Sequence, residues 1–143
     1  MREKELSNLT GSGSHRFTLP KSHILRGRRN FEELFSSSSF ISNKDIYIRY
    51  ATYPQASQKY LVGFIAPKKT GTAVQRNRTK RLMREAYRLN QHIITELPEI
   101  ADIGLHYAFL AKRASLSFET VQHQVVQLLE QLRERLTSNQ SLS

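Results

Sequence analysis

The chain has 143 residues, of which 22 are Lys or Arg and 12 are Asp or Glu, leaving a formal charge of +10 with histidine neutral. That is one domain's length, and the absence of cysteine excludes a disulfide framework and thiolate zinc sites. Excess cations bias the partners towards nucleic acid or an anionic membrane surface. No apolar run is long enough to span a bilayer, and the N-terminus lacks the apolar stretch of a secretory signal, so a cytoplasmic location is expected.

In chain order, residues 1–18 mix Gly, Ser, Asn and charges without apolar periodicity and are expected to form a flexible tail. SNQSLS at 138–143 reads the same way, leaving a single domain over 19–137. RGRRNFEELF predicts a short amphipathic helix with Phe31, Leu34 and Phe35 on one face, stopped by Ser36 to Ser39 as a loop. KDIYIRYATYP alternates Ile46, Ile48 and Tyr50 with Tyr47, Arg49 and Ala51, the period of a strand with two different faces. YLVGFIAP follows as a second strand, and the short polar join PQASQ predicts that the two form an antiparallel hairpin.

After the glycine loop KKTGTA a helix is predicted from about Ala73 to near Leu97, ahead of Pro98. LHYAFLAK is a third strand. The final helix carries Val121, Val125, Leu128, Leu129, Leu132 and Leu136 on one stripe, with Ser117 as its cap and Glu119 in its first turn. The order helix, strand, strand, helix, strand, helix predicts an α+β sandwich with helices packed on a sheet.

The segment KKTGTAVQRNRTKRLMREAYR, Lys68 to Arg88, concentrates cations with Glu85 as its only acid. Stepping about 100° per residue from Arg76 puts Lys80, Arg84 and Arg88 at roughly 40°, 80° and 120°, with Asn77 near 100° and Arg81 near 140°. Leu82, Ala86, Leu89 and Ile93 fall between roughly 220° and 280°, so they are expected to anchor the helix, and Arg78 sits between the two faces. Solvated helices usually intersperse Glu before Lys or Arg, whereas this face is cationic for three turns. Lys68 and Lys69 add charge at the approach, next to Gly71, and arginine pairs bidentately with phosphate and stacks on bases. A phosphate backbone is the indicated partner.

The five histidines, His15, His23, His92, His106 and His123, show no ligand spacing, and Glu32, Glu33, Glu96 and Glu99 read as helix-surface acids. No Ser, His and Asp set and no clustered metal-binding carboxylates are visible. Catalytic residues are therefore not assigned.

At Lys68, Lys69, Gly71, Ala73, Val74, Arg76, Asn77, Arg78, Lys80, Arg81, Arg84, Glu85, Tyr87 and Arg88 the chain resembles the signature segment of the protein component of bacterial ribonuclease P. LRGRRNFEELF is similar to that family's first helix and VGFIAPKK to the strand entering the signature, although Ala66 and Pro67 depart from the commoner Val-Ser. The resemblance implies a compact two-layer α+β sandwich with a central, mostly antiparallel sheet, like the second domain of a small-subunit ribosomal protein, with a left-handed βαβ crossover. It implies an endoribonuclease holoenzyme in which a catalytic RNA subunit carries the Mg²⁺ ions and removes the 5′ leader from precursor tRNA. On this reading Lys68, Lys69, Arg76, Asn77, Arg78, Lys80, Arg81, Arg84 and Arg88 bind the ribonuclease P RNA. Phe31, Phe35, Tyr47 and Arg49 line a cleft for the leader, where Arg49 departs from the aromatic often found there in relatives. Neither a membrane nor DNA is expected as a partner, and the alternative is a structural RNA-binding protein of ribosomal type.

Overall fold

The computed structural model describes residues 17–36, 38–53, 60–98 and 100–142. Among them, β1 (Ser39–Ser42), β2 (Ile46–Thr52), β3 (Tyr60–Ile65) and β4 (Leu105–Ala111) form one sheet in the order β1, β2, β4, β3. β1 runs antiparallel to β2 with Phe40 opposite Arg49, β2 runs antiparallel to β4, and β3 runs parallel to β4 with Gly63 opposite Ala108. The helices are α1 (Arg28–Ser36), α2 (Ala73–Asn90), the short α3 (His92–Thr95) and α4 (Ile100–Ile103), and α5 (Phe118–Leu142).

The expected hairpin between β2 and β3 does not form, because β4 lies between them. β4 reads LHYAFLA and is buried along nearly its whole length. A run that is apolar on both faces is most stable as a central strand, shielded by a neighbouring strand on each side and a covering layer on each face. The join PQASQ lies outside the described residues. The serine run is also not all loop, since Ser36 ends α1 and Ser39 opens β1, a strand too short to show its period.

Alternation along the strands builds two cores. Ile46, Ile48, Val62, Tyr107 and Phe109 face α2 and α5, where they meet Met83, Ala86, Tyr87 and all six residues of the expected α5 stripe. The opposite face carries Leu61, Ala108 and Leu110, packed beneath Leu25 and Leu34. α2 and α5 thus form the expected helical layer, and α1 covers part of the other face. Ser117 Oγ accepts from the Thr120 N–H at 3.1 Å, capping α5 as predicted. α5 itself continues to Leu142, over residues whose composition reads as a tail.

The seat of α1 depends on a row of small residues. A Cβ placed on Gly63 would lie 2.9 Å from Phe31 Cζ, so the glycine lets the Phe31 ring rest directly on β3. Gly63→Ala is expected to destabilise the fold by about 1–3 kcal/mol through overpacking, with part of the loss recovered in Gly63→Ala, Phe31→Leu, measured by chemical denaturation as a double-mutant cycle.

A polar network ties the β1–β2 turn to α5. The Asp45 carboxylate accepts from Arg113 Nε at 2.7 Å and from Gln124 Nε2 at 2.9 Å, while Gln124 Oε1 accepts from the Asp45 N–H at 2.8 Å. Burial pushes the Asp45 carboxyl up, but the hydrogen bonds from Arg113 and Gln124 and the guanidinium charge outweigh it and hold its pKa below the ordinary value. The folded pKa is therefore lower than the unfolded one, so this stabilisation is complete above the ordinary aspartate range and is lost as pH falls through the folded value. Asp45→Ala is expected to lower stability at pH 7 by about 1–3 kcal/mol. Denaturation curves at pH 7 and pH 3 should show that difference shrinking in acid.

Candidate nucleic-acid interface

α2 starts where a capping box forms. Thr72 Oγ1 accepts from the Gln75 N–H at 3.2 Å, and Gln75 Oε1 accepts from the Thr72 N–H at 2.9 Å. A Cβ on Gly71 would collide with Gln75 Oε1, so this glycine makes room for the cap. The helix stops at Asn90, earlier than expected. The side-chain amides of Asn90 and Gln91 donate to the carbonyls of Ala86 and Arg88, competing with the helix ladder before α3 begins.

The buried face of α2 differs from the predicted one. Thr79, Met83, Ala86 and Tyr87 are buried, whereas Leu82 and Ile93 are only partly buried against the core. On a 100° wheel the docked face is turned by about 70° towards the cationic side. The reason is the aromatic pocket made by Phe64, Tyr107 and Phe109, into which Tyr87 fits with ring centroids 5.7 to 5.9 Å away. The Tyr87 and Tyr107 hydroxyls hydrogen-bond to each other, and burial pushes both phenols well above their ordinary pKa.

This rotation sorts the predicted RNA-binding residues. Arg76 is drawn partly under the helix, and its buried Nε has no hydrogen-bond partner. Arg78 reaches across to donate to the Leu116 carbonyl at 3.2 Å. Arg88 donates to both Glu85 oxygens, at 3.1 and 2.7 Å, and to the Phe17 carbonyl at 2.7 Å. Those bonds hold the Glu85 carboxyl below its ordinary pKa. Lys68 and Lys69 are exposed on a 3₁₀ turn ahead of α2.

Asn77, Lys80, Arg81 and Arg84 instead line a cleft of about 580 Å³ together with Arg26, Phe31 and Phe64. Its lining holds four cations, Arg26, Lys80, Arg81 and Arg84, and no acid, so the local field favours an anion. The cleft opens at the outer edge of β3, where Ile24 bridges to Val62 and the Leu25 N–H donates to the Val62 carbonyl at 2.8 Å.

The predicted leader-cleft residues divide between this cleft and the open sheet face. Phe31 lines the cleft, and its ring centroid lies 6.1 Å from that of Phe35, one turn along α1. Phe35 lies beside Arg49, whose Cζ is 5.5 Å from the Phe35 centroid and 6.0 Å from that of Phe40. Tyr47 meets Phe40 edge to face at 6.4 Å. A track of rings and cations therefore runs from α2 over α1 to β1 and β2. Sequence reasoning missed Arg26 and Phe40. Arg26 lies in the same arginine-rich opening as α1, and Phe40 is an aromatic ring directly after a serine run, which was the available signal.

His23 stacks on Tyr60 at 4.0 Å, His106 is half-buried, and His15 lies outside the described residues. Burial pushes the His106 pKa down against the opposing pull of Glu33. No group of three or more His, Asp or Glu side chains among the described residues could hold a metal ion, and a cleft lined by cations does not suit one. No helix among them is long and apolar enough to cross a membrane.

The family described as Ribonuclease P matches residues 19–133. The chain belongs to the ribonuclease P protein family. Among relatives, it is 31% identical over 109 residues to a ribonuclease P protein component of Porphyromonas gingivalis, covering 74% of this chain and 80% of the relative. With that of Bacillus cereus the identity is 25% over 114 residues, covering 78% and 92%. In structure it is similar to the RNase P protein of Thermotoga maritima, with a TM-score of 0.58 at 22% identity over 76% of this chain and 96% of the other. For that of Staphylococcus aureus the TM-score is 0.60 at 16% identity over 77% and 94%. These solved structures share the mixed α+β fold.

Replacing Lys80, Arg81 and Arg84 with Ala is expected to weaken RNA binding and flatten its salt dependence by about one unit of log–log slope per lost phosphate contact. Arg88→Ala should lower thermal stability and leave that slope unchanged, because its donors are spent inside the protein. Titrations at several salt concentrations test both.

Proposed function

We propose that this chain is the protein subunit of a cytoplasmic ribonuclease P holoenzyme, assisting a catalytic RNA in removing the 5′ leader from precursor tRNA. The observation that carries this reading is the acid-free cationic cleft continuous with an aromatic track, on a chain of this family. Phosphate repulsion opposes close packing of two RNAs. Arg26, Lys80, Arg81 and Arg84, with Lys68 and Lys69 at the approach, offset that repulsion and lower the need for bulk cations. The RNA subunit supplies the Mg²⁺-dependent chemistry, and the protein's residues bind and orient.

The exposed Phe35 and Phe40 rings with Tyr47 and Arg49 suit an unpaired strand, because every base has a face that stacks on an aromatic ring. Only the precursor carries a leader, so contacts there favour substrate over product. A structural RNA-binding role would use the cationic cleft equally well, but it gives the aromatic track no task.

Precursor tRNA cleavage by a bacterial ribonuclease P RNA at low Mg²⁺, with and without this protein, tests the reading. Accurate 5′ processing should be strongly stimulated. Tight RNA binding by folded protein without stimulation would favour the structural alternative.

A further inference from the structure

We propose that Phe40 and Arg49 form a base-reading site in which one unpaired guanine stacks on the open Phe40 ring while the Arg49 guanidinium reads its edge. This rests on the reading of the track as the path of an unpaired RNA strand, and it adds a sequence preference to that path.

The site is built around an arginine held in place. Arg49 Nη1 donates to Ser38 Oγ at 3.0 Å, and the guanidinium lies against Phe35 from α1 and Phe40 from β1. Phe40 is its direct cross-strand neighbour, so strand pairing itself sets their spacing. Tyr47 in turn supports the Phe40 ring from its edge. Phe40 nevertheless remains 56% exposed. No ion pair among the described residues involves Arg49.

An arginine that only neutralises phosphate gains from reach and mobility. A pinned guanidinium has already lost that mobility on folding, and its remaining N–H groups point in fixed directions, which suits an oriented acceptor pair. Guanine offers such a pair in O6 and N7, and its two fused rings give a large surface for stacking on Phe40. Adenine presents a donor beside N7, which opposes a guanidinium. Cytosine offers O2 and N3 but only a single ring to stack.

The test uses holoenzyme reconstituted with this protein and precursor tRNAs in which each leader position carries each of the four bases. The expected result is one position where guanine binds about tenfold more tightly than adenine, with 7-deazaguanine losing most of that advantage. Arg49→Lys keeps the charge and should abolish the preference, with the guanine leader losing about tenfold more affinity than the other leaders. Phe40→Ala should weaken all four leaders at that position by several-fold. Equal affinities for the four bases in the wild type, or an Arg49→Lys loss equal for all leaders, as for a phosphate contact, overturns the proposal. The 7-deazaguanine comparison needs no variant and decides the point even if a substitution unfolds the protein. A holoenzyme that favours precursor over mature tRNA without any base preference sinks the base-reading site and leaves the subunit reading standing. A protein that does not stimulate the RNA sinks the reading itself.

Discussion

Burial of β4 on both faces is the constraint from which the rest of the structure follows. Tyr107 and Phe109 need cover from α2 and α5, while Ala108 and Leu110 need cover on the opposite side, where Leu25 and Leu34 supply it. A strand apolar on both faces along its whole length is shielded best at the centre of a sheet, between two neighbouring strands and two covering layers. β3 takes the outer position beside it, and the chain reaches α1 and α2 on opposite faces of that edge. The cationic cleft opens there, lined from one side by Arg26 and Phe31 and from the other by Asn77, Lys80, Arg81 and Arg84.

The charge of the segment from Lys68 to Arg88 is used in two ways. Arg78 and Arg88 spend donors on backbone carbonyls at Leu116 and Phe17, which tie α2 to the start of α5 and to the N-terminal approach. Lys80, Arg81 and Arg84 meet Arg26 without an intervening carboxylate, a concentration of like charge that opposes folding and favours a bound polyanion. The same helix is thus fixed to the protein by some arginines and presents others. Its orientation comes from Tyr87, whose ring fills an aromatic pocket that no smaller side chain of the predicted stripe would fill.

The aromatic track depends on small residues beneath it as much as on the rings. Gly63 and Ala108 lie side by side on the face that α1 covers, and the Phe31 ring occupies the space that a Cβ on Gly63 would take. α1 therefore packs over β2 and reaches β3 through Phe31, while β1 stays open with Phe40 exposed beside the part-buried Tyr47 and Arg49 of β2. Phe35 at the end of α1 joins the two regions.

Much of this was legible in the sequence wherever the deciding interaction is local. The period of two along Ile46 to Tyr50, the apolar stripe and Ser117 cap of α5, and the start of α2 near Ala73 depend on neighbours within a few residues, and each appears where the pattern puts it. The family was legible because its spacing runs along one helix and its approach. Strand order was not, because pairing of β4 between β2 and β3 is a choice among distant partners made by burial of the whole sheet. The docking angle of α2 was hidden for the same reason, since an amphipathic wheel weighs hydrophobicity and the fold weighs shape, which brought Tyr87 into the core and Arg76 halfway after it. Arg26 and Phe40 joined the candidate site only once tertiary structure set α1 beside α2 and β1 beside β2, because a site assembled from four separated elements has no single stretch of sequence in which to appear.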